Sequence, residues 1–446
     1  MKQCIVRLIC LAFCILWGSC VFAAPDNVQE ARARVMSAAG CMASYEDRNG
    51  HLVESYLTAA GWEIDRYATV DGKVSAEFLI AKKTDDGKER FLLAVAGTND
   101  VRDVRLDLKM KQVPYGGSTI EEFGEVASRP LDKENDGEMR VHKGFDKLAL
   151  HLLTVEVNTD SGLRSLVDIL RENRDAHVYL TGHSLGGAAV TVLGARLSDL
   201  GILTEQIHIM TFGAPAVGNE SFARRYEHLP LTRITLKGDP IVIALQKVAG
   251  GYEQFGTEKK LDEREKSILG LSAANHNITE YFDVVLKDYY DTLGMRKGDV
   301  PYEASERASK EGKAKVYVTP IRAELDMKFD KDRAYMKMAF ADTVRLHTDG
   351  FVLAESRDNA EENARKAGCR YLVTSTVRDI PMREEYNKHY IVYTHTIYDL
   401  KENTIVGIHS HSTDTRRMTA MESFIRSAFY AWEDVKAILY ERAPFA

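Results

Sequence analysis

Cysteine is scarce where it would matter. Of the 6 cysteines in the 446-residue chain, Cys4, Cys10, Cys14 and Cys20 lie within the first 20 positions. Only Cys41 and Cys369 remain, in what read as different domains, so neither a disulfide framework nor a metal-ligand spacing is available. Long apolar runs are equally rare. Beyond the N-terminus nothing approaches the ~20 residues needed to cross a bilayer, and the mature protein is expected not to be integral to a membrane. An excess of one charge is missing too. There are 59 Lys and Arg against 66 Asp and Glu, a formal net charge of −7. Basic patches with interleaved aromatics are absent, which argues against nucleic acid as a partner. Stability must come from an ordinary buried core, and 45% hydrophobic residues can supply one. A chain this long predicts two or more domains.

The N-terminus has the pattern of an export signal. Lys2 and Arg7 supply positive charge, residues 8–17 an apolar stretch, and Val21-Phe22-Ala23 a small-residue cleavage site. Residues 1–23 are therefore read as a signal peptide, and the product as periplasmic or extracellular. Cys20, after Gly18-Ser19, offers a second reading as a lipid-anchored cysteine, although Trp17 stands where such signals usually carry leucine.

The most informative stretch is residues 176–197, AHVYLTGHSLGGAAVTVLGARL. A β-rich run drives into Gly182-His183-Ser184-Leu185-Gly186, and a helix of small and apolar residues follows. A Gly-x-Ser-x-Gly nucleophile elbow needs that context of strand, sharp turn and helix. The bare pentapeptide would arise by chance in roughly one chain in seven of this length, so the flanking pattern carries the weight. The helix N-terminus would aim its free N–H groups at charge developing during acyl transfer.

A serine hydroxyl needs a base, and the base needs a carboxylate to hold its tautomer. In this kind of fold the order is Ser, then acid, then His. Asp239, in the Lys237-Gly238-Asp239-Pro240 turn at a strand end, is the candidate acid. His276, in a loop entering a helix, is the candidate base. His142 reads as a brace at a strand–helix entry, His183 as pointing away from substrate, and His208 and His228 precede the acid. One oxyanion-hole N–H is expected from Leu185.

Three further segments accompany the elbow: FLLAVAGTND at 91–100, VHKGF at 141–145 and IMTFGAPAVGN at 209–219. Together with GHSLGGA, in this order, they resemble the class 3 lipase family over roughly residues 52–285. The resemblance implies an α/β-hydrolase fold, a Ser184–Asp239–His276 triad, and Thr98 as the second oxyanion-hole residue. One departure stands out. Family members carry an aromatic–Arg pair before Gly-Thr, and this chain has Val95-Ala96. Between Thr98 and Val141 the family threads a lid. Here Val101, Val104, Leu106 and Leu108 stand among six charged residues within 99–110, and the stretch 116–140 reads as a solvated loop. A small-ester or phospholipid hydrolase therefore fits as well as a triglyceride lipase.

The expected organisation is a signal peptide (1–23), an α/β-hydrolase domain (24–292), a polar linker (293–314) and a second, smaller α/β domain (315–446). The last has a β-α-β-α-β-β-β-α pattern, weakly similar to small α/β domains of bacterial periplasmic proteins. It carries no catalytic motif. His409 and His411 share one face of a strand, which reads as an exposed polar face rather than a metal site. The expected function is a secreted serine hydrolase of lipid carboxylic esters, with no cofactor and no metal. Its partners would be a lipid or other ester, a membrane surface, and an envelope protein through the C-terminal half. Two alternatives stay open: an envelope adaptor built on a weakened hydrolase scaffold, and an acyltransferase using the same triad.

Overall fold

The computed structural model describes residues 26–440, apart from 46–47, 72–73, 98–110, 133, 136, 160–161, 244–245, 247–250, 262–275, 295–304, 310–314 and 417. The signal peptide, Cys20, Thr98 and the stretch read as a lid therefore lie outside the described residues, as do most of the residues read as a linker.

Two helices lead the chain, α1 (Asp26–Ala43) and α2 (Arg48–Ala59). An antiparallel meander follows: β1 (Glu63–Asp71), β2 (Val74–Asp85) and β3 (Lys88–Val95). Two small hairpins, β4 (Gln112–Pro114) with β5 (Arg140–His142) and β6 (Glu156–Thr159) with β7 (Gly162–Ser165), lie beside the main sheet. Interleaved with them are α3 (Ile120–Ser128), α4 (Lys143–Leu153) and α5 (Leu166–Glu172). Then β8 (His177–His183), α6 (Leu185–Asp199), β9 (Ile207–Phe212), α7 (Glu220–Arg225), β10 (Leu231–Leu236) and β11 (Thr257–Leu261) complete the sheet, and α8 (Ile278–Thr292) returns across it. The strand order is β1-β2-β3-β8-β9-β10-β11, parallel from β3 onward. This is an α/β-hydrolase sheet with an antiparallel edge.

Alternation along the central strands sets the layers. Leu79, Ala81, Leu92 and Ala94 face α1 and α8, while Phe78, Ile80, Phe91, Leu93 and Val95 face α4 and α6. Strands buried on both faces read as continuous apolar runs, and FLLAV in β3 is one.

The segment 116–140, read as a solvated loop, contains α3. Thr119 caps it by accepting from the Glu122 N–H, and the Glu122 carboxylate accepts from the Ser118 N–H in return. Phe123 is fully buried under this helix. The Thr-x-x-Glu signal was present in the sequence, but the surrounding Gly and Glu residues masked it.

The C-terminal part forms a second sheet in the order β12-β15-β13-β16-β17-β18, with β14 also paired to β16. Its elements are β12 (Ser305–Arg307), β13 (Val316–Val318), β14 (Arg322–Glu324), α9 (Asp330–His347), β15 (Phe351–Leu353), α10 (Ala360–Lys366), β16 (Tyr371–Pro381), β17 (His389–Asp399), β18 (Thr404–Asp414) and α11 (Ala420–Leu439). Residues 305–307, placed in the linker by composition, are thus an antiparallel edge strand of this sheet. α9 and α11 cover one face, and both also contact α2 and α8 of the hydrolase layer. One continuous apolar core runs from Val35 and Leu57 through Tyr281 and Val285 to Phe340 and Trp432. Among the described residues no helix is long and apolar enough to cross a membrane.

Candidate active site

β8 ends at His183, and Ser184 takes the turn with φ 54 and ψ −122 before α6 begins at Leu185. Few non-glycine residues adopt this backbone region; strain of roughly 1–3 kcal/mol is held by the surrounding packing. Gly186 explains how the turn closes. A Cβ there would lie 2.3 Å from the Val95 carbonyl oxygen, so helix and strand could not approach with any larger residue.

The three residues singled out from the sequence meet at this turn. His276 Nε2 lies 2.8 Å from Ser184 Oγ. Its Nδ1 lies 2.9 Å from Asp239 Oδ2. With Nδ1–H donating to the carboxylate, Nε2 is the acceptor for the serine hydroxyl. Asp239 is further held by the Ile241 N–H, 2.8 Å from Oδ1, and by the Tyr281 hydroxyl, which donates to Oδ2 at 2.6 Å. Tyr281 itself accepts from the Leu236 N–H at 3.2 Å, tying the acid to the end of β10. Burial and the adjacent Asp239 carboxylate push the Tyr281 phenol well above its ordinary value, so it remains a donor. Gly213 makes room for all three groups: a Cβ there would sit 2.8 Å from Asp239 Oδ2 and 3.1 Å from His276 Nδ1. Ser184, Asp239 and His276 are all buried, so their interactions act in a dry, low-dielectric setting.

A second hydrogen-bonded line, not anticipated from the sequence, runs behind the triad. The Gly97 N–H donates to Tyr45 Oη at 2.8 Å, and Tyr45 Oη lies 2.7 Å from His183 Nδ1. His183 Nε2 is 2.8 Å from the His276 carbonyl oxygen. The carbonyl can only accept, so Nε2 carries the proton and Nδ1 accepts from the tyrosine. Burial, reinforced by His276, pushes the His183 imidazole well below its ordinary value and keeps it neutral. His183 fixes the backbone of His276 through its carbonyl oxygen. It also connects that backbone to the end of β3, where Val95-Ala96 stands in place of the family's aromatic–Arg pair. Tyr45 offers no local sequence signal, because its partner is 138 positions away.

Other histidines have structural partners. His142 caps α4 by accepting from the Gly144 N–H at 3.2 Å. His208 pairs with His177 at 2.9 Å on the opposite end of the sheet. His409 and His411 lie under α11 rather than on an open face, both directed at Asp434, at 3.3 Å and 2.6 Å. No cluster among the described residues has metal-holding geometry.

Residues 92–247 match the family described as Lipase (class 3). Over that stretch the chain is similar to the class 3 lipase family. The lipase region is also similar to phospholipase A1 EG1 of Oryza sativa subsp. indica, 26% identical over 53% of this chain and 61% of that protein. It resembles Lipase ZK262.3 of Caenorhabditis elegans at 40% identity, over 16% of this chain and 21% of that one. The chain thus spans about three fifths or less of these two curated relatives' lengths. Among solved structures, a lipase from Rhizopus microsporus var. chinensis aligns over 55% of this chain and 77% of its own, at 19% identity and a TM-score of 0.37.

Proposed function

We propose that this protein is a serine hydrolase that cleaves carboxylic esters of lipids. The observation that carries the reading is the unbroken line Ser184 Oγ–His276 Nε2, His276 Nδ1–Asp239 Oδ2, at 2.8 Å and 2.9 Å. Ser184 Oγ attacks the ester carbonyl while His276 Nε2 takes its proton, and Asp239 steadies the resulting imidazolium. The carbonyl oxygen becomes an oxyanion beside the N-terminus of α6, where the Leu185 N–H is the expected donor and Thr98 its expected partner. Collapse of that intermediate expels the alcohol, which receives the proton from His276. Water then repeats the sequence on the acyl-enzyme and releases the acid. The lipid class follows from the company the lipase region keeps, a phospholipase A1 and a lipase. The leader read in residues 1–23 makes the cell envelope or the medium the proposed place of action.

A fluorophosphonate probe should label Ser184 stoichiometrically, and Ser184→Ala should abolish labelling. It should also lower hydrolysis of p-nitrophenyl butyrate by about 10⁴-fold or more while the protein stays folded. Well-folded wild-type protein that neither labels nor turns over the ester would end this reading.

A further inference from the structure

The helix that follows His276 is gripped from the far side by the C-terminal sheet's helices. α8 begins at Ile278, two residues after His276, and is capped by Asn277. It also carries Tyr281, the donor that holds Asp239. Two of the three triad members therefore depend on where this one helix lies.

On its other face α8 buries a charge. Lys287 Nζ sits 2.9 Å from Asp283 Oδ2 on the preceding turn and 2.9 Å from Asp332 Oδ1 on α9. Side chains of Lys287 and Asp283 are 4% and 2% exposed, so this ammonium has lost nearly all its water and is held by two carboxylates, with the Tyr335 ring 5.8 Å away. One turn further on, the Tyr290 hydroxyl donates to Asp342 Oδ2 at 2.7 Å, and the Tyr335 hydroxyl donates back to Asp291 Oδ1 at 2.7 Å. At the start of α8, the first turn of α11 closes on Thr279 and Asp283 through Glu422 and Thr419. An ordinary interdomain contact needs none of this. Directional bonds at three successive levels, buried or part-buried, fix the rotation and the axial position of α8, where apolar packing alone would let it slide.

We infer that the C-terminal unit serves the hydrolase site itself, with Lys287 and Asp332 as positioning residues that hold α8, and through it His276 and Tyr281, in register with Ser184. The inference rests on reading Ser184 as the nucleophile. A displacement of ~1 Å between reacting groups can cost about 10²-fold in rate without touching substrate affinity, so a loosened α8 should appear in kcat and not in KM.

The test uses the full chain. Asp332→Asn leaves Lys287 with one anionic partner, and is expected to lower kcat for p-nitrophenyl butyrate and the rate of fluorophosphonate labelling by about 10-fold. KM should stay within about twofold and the thermal transition should remain cooperative. Asp332→Glu should recover a large part of the lost rate, which a general loss of stability would not predict. Tyr335→Phe, a milder change that removes the hydroxyl bonded to Asp291, should lower kcat by about threefold and decides the matter if Asp332→Asn does not fold. Wild-type-like kcat and labelling in both variants would overturn the inference while leaving the hydrolase reading intact. A wild-type protein that is inert to the probe would overturn both.

Discussion

Glu422 places a titration inside the contact between α11 and α8. Its Oε2 closes the cap of α11 by accepting from the Thr419 N–H, while its Oε1 is buried with no hydrogen-bond partner. Asp283 Oδ1, facing it from α8, is buried and without a partner as well. Burial, and then the Asp283 charge, push the Glu422 carboxyl up from 4.5 to about 7. Below pH 4.5 the group is protonated in both the folded and the unfolded chain. As pH rises through this window the unfolded chain ionises while the folded one keeps its proton, and each pH unit weakens the fold by about 1.4 kcal/mol. Stability is therefore lost on going up to about pH 7, by roughly 3 kcal/mol in total, and the loss persists at higher pH. Glu422→Gln removes the titration. Its amide keeps an oxygen for the Thr419 N–H and turns an N–H₂ toward the orphaned Asp283 oxygen. The variant should match wild type near the acid end of the window and exceed it by about 3 kcal/mol at about pH 8.5. Urea unfolding at stepped pH measures this directly, as the difference in stability between the two proteins at each pH. Parallel stability curves across the range would refute the reasoning.

Two further substitutions probe the neighbourhood of the nucleophile. Tyr45→Phe removes the donor to His183 and the acceptor for the Gly97 N–H at once, and steady-state kinetics should show kcat for a short ester about 10-fold lower with KM little changed. Arg196, on α6 behind the elbow, is fully buried with its guanidinium 2.8 Å from Asp146 and stacked over Tyr115 at 3.7 Å. Arg196→Met strands the Asp146 carboxylate and should cost about 3–5 kcal/mol in urea unfolding, while adding Asp146→Leu should restore most of the loss.

Chain order made part of this site legible. A serine on a strand–turn–helix, an Asp-Pro turn after the next strands and a histidine ahead of a helix can all be found by reading forward, because each is announced by its own local pattern. The φ of 54 at Ser184 is what that turn requires. What could not be read are partnerships made only in three dimensions. Tyr45 stands in a polar stretch after a helix and gains its role from its contacts with His183 and Gly97, both distant in sequence. Lys287 and Asp283, four apart on a helix, look like an exposed pair, since solvated i,i+4 pairs are the common case. Only the arrival of α9 and α11 buries them. The helix at 120–128 differs for the opposite reason: its capping signal is local and visible, but a high density of charge around it has the composition of a solvated loop.

The boundary between the two halves illustrates the same limit. Composition changes sharply near residue 293, and a polar stretch between two patterned regions is a sound reason to divide a chain. Packing does not respect the division. Val285 and Leu286 of α8 lie in the same apolar core as Met336, Phe340 and Trp432, and β12 joins the second sheet from within the polar stretch. A domain that could be removed without consequence would meet the hydrolase layer through hydrated, exchangeable contacts. This one meets it through a buried lysine, two buried acids and a shared core. The chain is divided in sequence, but the helix that follows His276 is contacted from both sides of the division.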